Sequence, residues 1–277
     1  SLVGLAVPER THDLVDDCFV DLLENAKASR REFLAELLDL EKGRFHATKE
    51  IVPQTSDVAK FQEVIDQYQK ENDIDAGSRA GHFEVKDVAV KKESGTASLG
   101  LDRFFVLIDG PSDDHADDVV LEMKHSRRSA LAGLVADDDI DDDEEAKADR
   151  IVQSHEVHLV GGDMYFGHAE MDDRSFLIKE RSPYKDDIDI DDLDSDGMQT
   201  YADICGRTLA SSHARSDEDT GLMEGDAEKR ILESIDTRVF IDDIVRFARE
   251  MSKRIKKDYK AFCQDRDLGA FEFVRAQ

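Results

Sequence analysis

Apolar residues recur along the chain with two different periods, and the changes of period divide it into three parts. Leu14, Cys18, Leu22 and Ala26, followed by Phe33, Leu37 and Leu38, keep helical spacing, which predicts one long or two short amphipathic helices over residues 12–42, stopping near Gly43. A further helix is expected after Pro53, with Asp57 as its N-cap and Val58, Phe61, Ile65 and Tyr68 along one face. The period then falls to two. Phe83, Val85, Val88 and Val90, then residues 103–109, 118–124, 163–171 and 174–180, form five short β-rich runs bounded by Gly, Pro and Asp turns. One helical segment, 147–160, lies between the third and fourth runs. Past Gly197 helical spacing returns, in Tyr201, Ile204, Cys205 and Leu209 and then in Phe240, Ile244, Phe247, Met251, Ile255 and Tyr259. The expected class is α+β: a five-stranded antiparallel sheet with one helix over 76–185, between helical segments at 1–75 and 186–277.

Composition narrows what such a fold can bind. The 277 residues suffice for a substantial core, since chains of this size bury roughly 70–75% of their unfolded surface. Asp and Glu number 65 against 37 Lys and Arg, a formal charge of −28. In dilute buffer such a chain repels itself; at molar salt the screening length falls to about 3 Å and the repulsion fades while the carboxylates stay hydrated. The acids are spread over every segment, which points to a salt-accumulating cytoplasm rather than to one acidic tail. Acid runs at Asp113-Asp114, 137–145 and 186–196 read as solvated loops. The same charge argues against nucleic-acid binding, which needs cations to displace counterions from phosphates. Only residues 124–128 and 253–260 are locally basic. Cys18, Cys205 and Cys263 are widely separated, so no disulfide framework is expected. The longest apolar runs, such as Phe104 to Ile108, are far too short to span a bilayer, and the expectation is a cytoplasmic protein without membrane partners.

Candidate chemistry lies in the β-rich part. Between the first two strands stands Glu93-Ser94-Gly95-Thr96-Ala97-Ser98-Leu99-Gly100, and the third strand ends on Lys124. A glycine-rich hairpin lets backbone N–H groups approach phosphate oxygens, and a lysine on a neighbouring strand supplies charge for them. Ala97 stands where the nucleotide-binding pattern has a second glycine, and a loop of this kind alone is more often a plain hairpin turn. The order of strands, lysine, helix and two further strands is similar to the small lobe of protein kinases and aminoglycoside phosphotransferases. There a helix carboxylate orients the lysine; Glu156 is the candidate, with Gln153 one turn earlier, and a solvent-facing role is the plain alternative for it. No HxDxxxxN, GDxHxxN or DFG segment is found after Lys124.

From about Gly81 to Phe262 the chain resembles the prokaryotic family known as domain of unknown function 2252. The resemblance rests on Gly95 to Gly100, Leu121-Glu122-Met123-Lys124, Asp149-Arg150-Ile151-Val152, Tyr201 to Gly206, and Leu209 to Ser216, with an echo at Phe247-Ala248 and Asp258-Tyr259. It implies a kinase-like fold whose catalytic GDxHxxN and Asp-rich segments lie upstream of the glycine loop. Ser1 to Ala6 resemble the stretch immediately after those segments in the family, so the expectation is a nucleotide-gripping portion without them. The helix carboxylate of the family falls on Gln153. The implied cofactor is ATP with Mg²⁺, gripped by Gly95, Ser98, Gly100 and Lys124, and the catalytic segments are expected either elsewhere in a larger protein or on a separately encoded catalytic half as partner. The rival reading is a non-catalytic interaction or scaffold module, or an inactive truncated remnant.

Other patterns carry less. Asp192, Asp194, Asp196, Gly197 and Asp203 match much of a Ca²⁺-binding loop, but an acidic linker ahead of a helix is the reading preferred. His155 and His158 on one helix, with His168 nearby, lack a partnering carboxylate or thiolate at a telling distance and read as polar residues; no metal is expected. His213 closes an apolar helix and either orders the next loop by hydrogen bonding or lines the cleft, the first being the reading preferred. No serine has a base and an orienting acid in a recognisable motif.

Overall fold

The computed structural model describes residues 30–74, 82–92, 100–110, 112, 114–129, 148–159, 163–182, 188–221 and 223–271. The expected helical positions Leu14, Cys18, Leu22 and Ala26 lie outside them. The chain forms two compact units, Ser1–Arg215 and Ser216–Gln277.

The first unit is built on a six-stranded antiparallel sheet. In chain order its elements are helix α1 (Arg30–Leu37), strands β1 (Leu38–Asp39), β2 (Arg44–Phe45) and β3 (Ile51–Pro53), helix α2 (Val58–Glu71), strands β4 (Val85–Lys91), β5 (Arg103–Ile108) and β6 (Val119–His125), helix α3 (Asp149–His158), strands β7 (Gly167–Met171) and β8 (Arg174–Glu180), and helix α4 (Ser195–Ala214). The strand order is β3-β4-β5-β6-β8-β7, and β1 and β2 make a separate hairpin. The five expected strands are all present. The sixth, β3, was not foreseen: Val52 pairs with Val90 and Pro53 with Ala89. Three residues are too few to establish a period, and Pro53 is tolerated because it stands on an edge strand. The first helix ends at Leu37 instead of 42, because the chain turns back through Gly43, at φ +57°, to pair Leu38 with Phe45.

The pleat sorts side chains onto two faces. On one, Val106, Ile108, Leu121, Met123, Phe176 and Ile178 meet Phe61, Ile65 and Tyr68 of α2, the helix face the spacing had indicated. On the other, Ala89, Phe105, Leu107 and Val120 meet Leu34, Leu38, Phe45 and Ile51. Each large side chain buried in this way contributes about 1.5–3 kcal/mol. Asp57 stands at the N-cap position of α2, as expected, but its side chain makes no capping bond.

Polar side chains fix the register of α2 on the sheet. Gln62 accepts from the Val85 N–H at 2.7 Å through Oε1, and Asn72 bonds both backbone groups of His168, accepting from its N–H at 3.0 Å and donating to its carbonyl at 2.8 Å. Asn72 thereby acts as an extra strand residue beside the edge strand β7. Gly167 is required by this close approach, since a Cβ there would lie 2.7 Å from the Asn72 side chain and 2.8 Å from the Tyr68 ring. At the far side of the sheet, Asp87 is 1% exposed and accepts from the Phe45 N–H at 2.9 Å, tying the small hairpin to β4.

Helix α4 is capped by Asp194, which accepts from the N–H groups of Asp196 and Gly197 at 3.1 and 2.8 Å. Residues 195–203 are therefore helical rather than a twelve-residue cation loop, and Asp203 pairs with Arg207 at 2.7 Å. In the second unit, α5 (Ala227–Ser234) and α6 (Thr237–Asp267) are capped by Asp226 and Asp236. Along α6 the apolar stripe Phe240, Ile244, Phe247, Ile255 and Tyr259 is about half or more exposed. No helix among the described residues is long and apolar enough to cross a membrane.

Candidate functional site

Lys124 stands near the end of β6, half-buried, on the face that carries Phe105, Leu107 and Val120. That face is apolar at one end, where α1 covers it, and charged at the other. Moving along the strands toward the β4–β5 connection, the same alternation brings up Glu122 and Lys124 on β6 and Arg103 on β5. Arg103 lies directly opposite Lys124, and its guanidinium reaches diagonally to Glu122 Oε1 at 3.2 Å. On the other flank Leu177 faces Lys124 and Lys179 faces Glu122. Among the described residues the Lys124 side chain makes no ion pair or hydrogen bond.

Strand β4 finishes and β5 begins at this end of the sheet. Gly95 and Ser98 lie outside the described residues. Gly100 is described, with φ +74° and open space where a Cβ would stand, three residues before Arg103. The left-handed backbone is what a glycine supplies at this point.

The helix residues expected to orient the lysine are placed otherwise. Gln153 is exposed and donates to Asp149 Oδ2 at 2.8 Å, while Glu156 is exposed on the next turn of α3. No hydrogen bond or ion pair joins either of them to Lys124. Asp149 also faces His168 of β7, with its Oδ1 3.5 Å from Nε2. His168, Leu177 and Lys124 follow one another across β7, β8 and β6, so the first turn of α3 sits beside the row that contains the lysine.

Two further clusters stand apart from Lys124. The Lys86 ammonium lies 2.6 Å from Asp118 Oδ2, 2.6 Å from His115 Nδ1 and 3.2 Å from Asp109 Oδ1. Three acceptors meet the three N–H donors of one ammonium, so the carboxylates and imidazole that cluster here already hold a cation belonging to the chain. Asp118 is fully buried, and burial pushes its carboxyl above the ordinary range against the pull of Lys86. The second is a cleft of about 490 Å³ between α3 and α4, lined by Ser154, His155, His158, Phe166 and His213 among others. His155 stacks on Phe166 with centroids 3.8 Å apart, and burial holds its imidazole below the usual value. His158 Nδ1 lies 2.7 Å from the Ser154 carbonyl, and Arg215 donates to the Val157 carbonyl at 2.9 Å, closing the end of α3. Helical spacing put His155 and His158 together, but only the placement of α4 brings His213 to them.

A family model described as an uncharacterized protein conserved in bacteria, DUF2252, matches residues 6–265. The chain belongs to that family. The match extends the resemblance seen in Gly81 to Phe262 in both directions, so the DUF2252 region takes in the sheet, the flanking helices and nearly all of α6. Neither a curated protein nor a solved structure matches the chain.

Proposed function

We propose that this DUF2252 chain is a kinase-like, nucleotide-binding portion of a phosphotransferase-like protein, with ATP as the ligand. The observation that carries the reading is Lys124: a half-buried lysine without a carboxylate among the described residues, at the sheet end where β4 finishes and β5 begins, in a chain whose acids outnumber its bases 65 to 37. A lysine so placed in so acidic a protein is left available for an anion from outside. Lys124 would neutralise the phosphates, and the backbone around Gly95, Ser98 and Gly100 would approach them. Gln153 or Glu156 would orient the lysine once α3 moves its side chains toward β6, Gln153 leaving Asp149 to do so. Mg²⁺ would accompany the phosphates when ATP is bound. The chain contains no GDxHxxN or DFG segment, so phosphoryl transfer is assigned to no residue here and would fall to another part of a larger protein or to a separately encoded catalytic half.

The test is ATP binding by calorimetry in molar KCl, wild type beside Lys124→Ala; loss in the variant supports the reading, and equal weak or absent binding in both removes it. The high salt matters because we also read the acid coat as an adaptation to concentrated salt. Unfolding midpoints should rise strongly between about 0.1 and 2 M KCl as carboxylate repulsion is screened, and a flat response would contradict that. A second reading, a scaffold that binds a protein, is favoured by the exposed apolar stripe of α6. Co-purification from the native host separates the two, since a partner bearing a GDxHxxN segment fits the split enzyme and an unrelated partner the scaffold.

A further inference from the structure

Arg103 and Lys124 are directly opposite one another on neighbouring antiparallel strands, with their side chains on the same face. At that position Cβ atoms stand about 4.5–5.5 Å apart, and like charges so placed repel. Glu122 serves Arg103, in a pair whose side chains are only 18% and 10% exposed. Lys179, opposite Glu122, adds a third cation on the same face. Lys124 itself meets no carboxylate among the described residues, so this end of the sheet gathers cations in a protein that is −28 overall. The contrast with β4 is direct: Lys91, one residue beyond the Val90–Phe104 pair, has its own carboxylate in Glu50.

We propose that Arg103 and Lys124 together form a phosphate-binding pair, and that the ligand it takes is the di- or triphosphate moiety of a nucleotide. Lys124 acts as a mobile point charge. Arg103 presents a planar fork whose direction Glu122 fixes and whose donors match the geometry of phosphate oxygens. Two cations spaced across one strand pair match two successive phosphates better than one isolated anion, and Gly100 brings the β4–β5 connection to the same end of the sheet. Sequence alone does not reveal this partner, because Arg103 and Lys124 are distant in the chain and meet only through strand register. The inference rests on the nucleotide reading above and adds to it a second cation, a carboxylate that positions it and the part of the ligand they hold.

The experiment is calorimetric titration in molar KCl with ATP, inorganic triphosphate and orthophosphate. The proteins are wild type, Arg103→Gln, Arg103→Lys and Lys124→Ala, each checked for folding by circular dichroism. Expected are binding of both ATP and triphosphate by wild type, much weaker orthophosphate binding, and losses of about tenfold or more for both ligands in Arg103→Gln and Lys124→Ala. Arg103→Lys keeps the charge and the Glu122 partner, and should lose only about threefold. ATP binding that weakens in Lys124→Ala while Arg103→Gln keeps wild-type affinity overturns the inference and leaves the nucleotide reading standing. If Arg103→Gln does not fold, Arg103→Met takes its place, and wild-type affinity in it has the same meaning. Triphosphate no tighter than orthophosphate overturns the pairing with successive phosphates, and absence of both ATP and triphosphate binding in wild type sinks the nucleotide reading together with the inference.

Discussion

The two faces of the sheet are made by the same strands, yet they differ where those strands approach the β4–β5 connection. Under α2, the inward positions of β5, β6 and β8 from Ile108 to Phe176 are apolar, and the helix is held in register by Gln62 and Asn72. On the opposite face the apolar run Leu107, Phe105 and Val120 gives way to Arg103, Glu122 and Lys124 where α1 no longer covers it. The first face is apolar through its centre, with charge only toward its margin at Arg174 and Glu180, and serves stability. The other keeps half-buried cations at a cost that packing does not explain, and function is to be sought there.

That contrast can be broken most forcefully from the apolar side. Phe176 is fully buried and packs near Phe104, with ring centroids 5.9 Å apart, so Phe176→Ala should cost about 3–5 kcal/mol by denaturant unfolding. Lys124→Ala on the other face should cost under about 0.5 kcal/mol, and comparable losses would erase the distinction between the faces. Next in size is Asp118→Ala, which leaves the Lys86 ammonium without its closest carboxylate at 2.6 Å and should destabilise by about 3 kcal/mol; no loss of stability would mean the cluster is not structural.

Much of this architecture could be read in the sequence. The period-two runs gave five strands because each is long enough to alternate, and Val58, Phe61, Ile65 and Tyr68 gave the buried face of α2 because they repeat over three turns. Strand β3 was invisible, having three residues and a proline. Lys124 was legible as the last charged residue of an apolar strand. Arg103 was not, since its facing Lys124 depends on the register across a connection that sequence does not fix. Gln153 and Glu156 were placed on the right helix, but helical spacing cannot say that Gln153 turns back to Asp149.

The smallest effect expected is in acid. Burial lowers the His155 pKa from 6.5, so the folded state resists its protonation; stability is intact above the unfolded value and falls as pH drops through it toward the folded one. His155→Phe, which keeps an aromatic ring against Phe166, should flatten that decline in unfolding midpoint, and an unchanged acid limb would show that His155 is not its source.

Whether the charged end of the sheet grips a nucleotide is tested most directly by ATP binding in molar KCl, measured on wild type and Lys124→Ala. Measurable binding by the wild type is expected, with a loss of about tenfold or more in a variant whose unfolding midpoint is unchanged. Binding that is equal in the two proteins, or absent from both, would contradict it.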